Sequence, residues 1–150
     1  MSKPFLFVIL SAALFFTGCV SSSDQILYTP PALSDDWSVN MIQTGGIMGM
    51  KRSILVSSDG EYQVLDQRTQ KTASGTLTES QRNEVKESLT GLKFTAPNLP
   101  SACADCFIYN IEIESNGQKM KIQLDDTTLP GSGFEPLVDS LRALMDSALK

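Results

Sequence analysis

Between residues 106 and 126 the chain alternates apolar and polar side chains in two runs, CFIYNIEIES and QKMKIQLDD, on either side of Asn116-Gly117. Period-two alternation puts successive side chains on opposite faces of a strand, and Asn-Gly is the favoured two-residue hairpin turn. A turn there pairs Ser115 with Gln118. It sets Glu114 against Lys119, Ile113 against Met120, Glu112 against Lys121, Ile111 against Ile122 and Tyr109 against Leu124. One face is then apolar and the other carries two opposite-charge pairs, an agreement that fixes register. An earlier stretch, RSILVSSDGEYQVLD, repeats the pattern around Asp59-Gly60 with faces less cleanly separated. Trp37 to Thr44 and Lys71 to Leu77 read as further strands.

Two helices are predicted by capping boxes, in which a hydroxyl caps the N3 amide and a Glu or Gln at N3 reaches back. Thr78 with Gln81 opens one, roughly Glu79 to Thr90, with a thin stripe of Val85 and Leu89 continued by Leu92. Ser132 with Glu135 opens the other. There Phe134, Leu137, Val138, Leu141, Leu144, Met145 and Ala148 recur at helical spacing, one apolar stripe that needs a sheet to lie on. The expected fold class is α+β, an antiparallel sheet built from hairpins with two helices packed on one face.

The start of the chain reads differently. Phe5 to Phe16 is free of charge, but its length is about 12 residues where a membrane-spanning helix needs about 20. Lys3 precedes it and small residues follow, the layout of an export signal. Phe16-Thr17-Gly18-Cys19 resembles the bacterial lipobox, in which the cysteine is acylated and the chain is cut just before it; Phe16 stands where leucine is usual. The organisation expected is therefore a signal over 1–18, a tether over 19–36 and one domain over 37–150. The tether, VSSSDQILYTPPALSDD after Cys19, is polar and proline-bearing, and spans at most about 60 Å if extended. Acyl chains on Cys19 would supply the membrane attachment. Val20 after the cysteine, by resemblance to lipoproteins of two-membrane bacteria, implies the outer membrane.

The formal net charge of −5 becomes −6 when Lys3 leaves with the signal. An acidic surface is a poor ligand for nucleic acid, whose binding is dominated by phosphate neutralisation. The sequence holds no histidine, which excludes His-based triads and His-dependent zinc sites. No cofactor loop is present: TGGIMGMKRS has Met50 where a phosphate-binding loop needs glycine. The same stretch, Gly45, Gly46, Ile47, Met48, Gly49 and Met50, reads either as a flexible connection or as a partner-contact loop. Its glycines permit close backbone approach, and its Ile and Met side chains offer adaptable apolar contacts.

Cys103 and Cys106 form a CADC motif with three readings. A zinc site lacks two further ligands. A thioredoxin-like redox centre would sit at a helix N-terminus after a strand, whereas this pair precedes a strand. A structural disulfide fits an exported protein; closing so short a loop contributes only about 2 kcal/mol, so its role would be to pin the start of the following strand. The carboxylates at Asp35-Asp36, Glu112/Glu114 and Asp125-Asp126 read as solvated charge, with nothing placing them in a cleft.

The order of features resembles a known family. A strand ending in Thr44-Gly45-Gly46, the basic pair Lys51-Arg52, the first helix, Phe94 followed by Leu99-Pro100, then DCFIYNIEIESNGQKMKIQLDD, Pro130 and PLVDSLRALM are similar to emfourin-type inhibitors of thermolysin-like metalloproteases and related bacterial lipoproteins. The resemblance covers about residues 38 to 148. It implies a small α+β protein that blocks a protease by binding; the residues themselves point to no catalytic group, metal or cofactor. The lipobox, CADC and a longer hairpin through Asp59-Gly60 depart from the soluble inhibitors. The reading is a lipid-anchored, non-enzymatic envelope binding protein acting on a metalloprotease; the alternatives are an assembly lipoprotein with another protein partner, and a thiol-disulfide enzyme using Cys103 and Cys106.

Overall fold

The computed structural model describes residues 27–28, 32–95 and 103–150. Its elements are β1 (Leu27–Tyr28), β2 (Trp37–Gly45), β3 (Met50–Ser57), β4 (Glu61–Asp66), β5 (Lys71–Thr76), α1 (Glu79–Thr90), β6 (Phe94–Thr95), β7 (Phe107–Ser115), β8 (Gln118–Asp125) and α2 (Glu135–Ala148). Six strands form one antiparallel sheet in the order β5-β4-β3-β2-β7-β8. The predicted α+β class is the fold observed. β1 and β6 make a separate two-stranded antiparallel pair.

The β7–β8 register is the one read from Asn116-Gly117, with Ile111 opposite Ile122 and Glu112 opposite Lys121. The ion pairs form as expected: Lys121 meets Glu112 at 2.8 Å and Lys119 meets Glu114 at 2.9 Å. The hairpin at Asp59-Gly60 differs from a two-residue turn. Val56 pairs with Tyr62 and Ile54 with Val64, so Ser58, Asp59 and Gly60 form a three-residue loop. The Gly60 amide donates to the Ser57 carbonyl and the Glu61 amide to Asp59 Oδ1, both at 2.9 Å. The extra residue resolves the untidy faces: Ile54, Val56, Val64 and Tyr62 now share the covered side.

β2 alternates strictly, with Trp37, Val39 and Met41 inward and buried. These meet Ile54, Val56, Tyr109, Ile111 and Ile113 from neighbouring strands, and Leu137, Val138, Leu141 and Met145 from α2, in one core. α1 has the predicted bounds and both halves of its capping box, and buries Val85 and Leu89. The second box is not formed. α2 begins after Phe134, which makes no side-chain cap. Ser132 Oγ instead accepts the Phe134 amide at 3.1 Å, and the Glu135 carboxylate accepts the amides of Gly131 and Gly133. Glycines at 131 and 133 bend the chain so that the acid caps the turn before the helix rather than the residue the pattern named.

α2 runs across the strands. Arg142 lies over the Tyr109 ring of β7, Asp146 pairs with Arg52 of β3, and the Leu149 carbonyl accepts Lys71 Nζ of β5. Both helices cover one face and leave the other open. The segment before β2 is joined to the domain: β1 pairs with β6, and the Ser34 amide donates to Ser115 Oγ at 2.8 Å.

Candidate functional site

Residues 46–49 connect β2 to β3 in a tight turn closed by the Gly49 amide on the Gly46 carbonyl at 2.9 Å. Ile47 at 91% and Met48 at 71% are the two most exposed large apolar side chains among the described residues. Met50, singled out with them from sequence, opens β3 opposite Gly45 and is partly covered. The protrusion is therefore Ile47 and Met48.

The two glycines before the tip are set by what lies beside them. Gly45 has φ +101° and stands opposite Phe107 on β7. A Cβ there would lie 2.3 Å from the Cys106 carbonyl oxygen, and one at Gly46, φ +69°, would lie 2.7 Å from the Phe107 ring. Only glycine accepts both the backbone angle and the contact. The Gly46 amide donates to that same Cys106 carbonyl at 3.2 Å. Cys106 is disulfide-bonded to Cys103, with Cα atoms 5.5 Å apart. The two stretches read separately in the sequence, GGIMGM and CADC, thus form one end of the sheet. The signal that joins them is long-range strand pairing.

The carboxylates beside this end are not the solvated pair expected. Asp126 is exposed, yet its Oδ2 accepts the Phe107 amide at 2.8 Å and its Oδ1 accepts the Tyr109 hydroxyl at 2.9 Å. Burial, with that hydrogen bond second, pushes the Tyr109 phenol up to about 12. Asp125 is buried, and its Oδ1 accepts the Thr127 and Thr128 amides and hydroxyls at 2.7 to 3.0 Å. Burial alone would raise its pKa; the threonine hydrogen bonds outweigh it and hold the group below the ordinary value. Asp-x-Thr is a local turn signal, and a carboxylate oxygen that accepts four such hydrogen bonds is a structural fastener. Its Oδ2 has no partner among the described residues.

A second fastener at this end was not visible in the sequence. Arg52 reaches Asp66 Oδ2 at 3.2 Å and Asp146 Oδ1 at 3.0 Å, joining β3 to β4 and α2. Asp66 Oδ1 also takes the amides of Arg68 and Thr69. The Thr69 amide first, with Arg68 and Arg52 adding to it, lowers the Asp66 pKa against the cost of burial. On the open face Glu112 is held below its usual range by Lys121. That face carries shallow hollows meeting at Asn40, flanked by Ile42 and Gln123 on one side and Leu55 and Ser74 on the other.

No group of three or more metal-binding side chains occurs among the described residues, and no described helix is long and apolar enough to cross a membrane. The braced turn offers apolar area, with no ionisable or nucleophilic group at its tip.

The Emfourin family model matches residues 64–142, from the end of β4 into α2. The chain belongs to the emfourin family. The resemblance read from the order of features is thereby borne out, and the family is of the metalloprotease-inhibitor type rather than a catalytic one. The emfourin match takes in α1, CADC, the β7–β8 hairpin and the first part of α2; the Gly45–Met50 stretch lies ahead of it in sequence and against it in space. No curated protein matches the chain.

Proposed function

We propose that this emfourin-family chain is a lipid-anchored envelope protein that inhibits a thermolysin-like metalloprotease by binding, with Ile47 and Met48 as the apolar contact. The observation that carries the reading is the near-complete exposure of Ile47, 91%, on a turn fixed by glycine packing. Burying one such side chain against a partner contributes about 1.5 to 3 kcal/mol. A turn already held in place loses little freedom on binding, so more of that gain survives as affinity. Family membership supports a protease as the class of partner.

Anchoring rests on Phe16-Thr17-Gly18-Cys19 and the charge-free run before it, which lie outside the described residues. Acylation at Cys19 would place the domain on the periplasmic side of the outer membrane of a two-membrane bacterium. Cys19→Ala should then leave an unprocessed or soluble form on cell fractionation.

The deciding experiment is titration of a panel of thermolysin-like proteases with the full chain carrying Cys19→Ala. Inhibition without consumption of the inhibitor is expected, weakened at least about tenfold by Ile47→Asp or Met48→Asp and little by Glu112→Gln. Absence of inhibition at micromolar concentration, with the fold intact, would favour the assembly-lipoprotein reading.

A further inference from the structure

We propose that the Cys103–Cys106 disulfide is a redox-operated brace for the contact turn, with Cys106 and Phe107 as positioning residues. The inference deepens the inhibitor reading above and rests on it for its functional consequence, though not for its structural one.

Three observations converge on it. The Gly46 amide, the last backbone N–H before the exposed tip, donates to the carbonyl of a disulfide-bonded cysteine. Gly45 and Gly46 leave no room between the turn and Cys106-Phe107, so displacement on one side must be felt on the other. Phe107 is itself fixed by Asp126 through its amide, which gives β7 a start that does not depend on the disulfide. The segment that the disulfide orders is therefore the one holding the accepting carbonyl. Ala104 and Asp105 are exposed and both cysteines only partly covered, so a small thiol reagent can reach the bond.

The chemistry is thiol-disulfide exchange. One thiolate of a dithiol reductant attacks a sulfur of the pair, breaking the S–S bond and forming a mixed disulfide. Its second thiolate displaces the remaining cysteine. The chain leaves with two thiols, having gained two electrons and two protons, and the reductant leaves as a cyclic disulfide. With the bond open, the Cys106 carbonyl gains freedom and its hydrogen bond to Gly46 is populated less.

The test compares the full chain carrying Cys19→Ala in three states: oxidised, reduced with a dithiol and alkylated, and carrying Cys103→Ser with Cys106→Ser. The reagent is removed before any protease assay, because dithiols take zinc from metalloproteases. Amide hydrogen exchange at Gly46 should quicken by roughly tenfold or more on opening the disulfide, as local opening does, while exchange at Ile113 stays unchanged. The inhibition constant should rise by a similar factor, and reoxidation of an unalkylated sample should restore both. Equal Gly46 exchange in all three states overturns the brace, as does acceleration shared by the whole sheet. If Gly46 exchange responds but the oxidised chain inhibits no protease, the brace stands and the inhibitory reading falls.

Discussion

Gly45 stands opposite Phe107, and the Cys106 carbonyl oxygen lies 2.3 Å from where a Gly45 side chain would begin. Gly45→Ala must therefore move backbone on β7 as well as accept φ +101°, at an expected cost of about 2 to 4 kcal/mol. Gly49 also has positive φ, +59°, but no atom of the described residues lies within 4 Å of its missing Cβ. Gly49→Ala should cost about 1 kcal/mol. Denaturant melts that rank the two the other way round would contradict this packing.

The β7–β8 hairpin makes a second ordering. Ile111 is buried in the core, whereas Glu112 lies on the open face. Ile111→Ala should cost about 2 to 4 kcal/mol as a cavity. Glu112→Gln should leave the melting midpoint almost unmoved, since its lysine partners are solvent-screened. Urea denaturation of both variants checks it.

Acid should weaken the fold through particular carboxyls. Asp66, Asp125 and Glu135 all have pKa values lowered in the folded state. Each therefore contributes stability that is present above the ordinary carboxyl range, about pH 4, and lost as pH falls through the lower folded values. Melting temperature should hold steady from neutral pH to about 5 and drop below about 4. Asp125→Asn should make that drop shallower, because one of the linked protons is gone.

Trp37 is the sole tryptophan and is 3% exposed at the start of β2. Its fluorescence should be blue-shifted in the native chain and move to the red in one step with loss of the sheet. A transition that lags the far-ultraviolet circular dichroism would show that β2 docks separately from the rest.

The parts legible in the sequence are those settled by neighbours along the chain. Thr78 and Gln81 cap α1 because four consecutive residues suffice, and Asn116-Gly117 sets the β7–β8 register because a two-residue turn admits one pairing. The parts missed depend on contacts far apart in sequence. Asp59-Gly60 carries the same dipeptide signal, but Ser58 joins the loop because only then do Ile54 and Val64 face the helices together. Glu135 has the spacing of a capping box, and the glycines ahead of it redirect its carboxylate. Asp125 reads as surface charge until Thr127 and Thr128 are seen folded onto it. For the contact site, the glycines and apolar residues of Gly45 to Met50 were visible, but their dependence on Cys106 arises from the pairing of β2 with β7, which no local pattern encodes.

If the chain is anchored at Cys19 as proposed, the pairing of β1 with β6 sets its geometry. From Cys19 to Leu27 a fully extended chain spans at most about 29 Å, not the 60 Å available to a tether running on to β2. A domain of this size is itself on the order of 35 Å across. Attached at Cys19, it could not roam the depth of the envelope; it would patrol a layer, meeting partners that diffuse in or close to the same membrane. Encounter would then be set by surface density rather than by bulk concentration, which lets a contact of modest intrinsic affinity stay occupied. Lengthening the segment ahead of Leu27 should dilute that advantage in the cell while leaving affinity in solution unchanged.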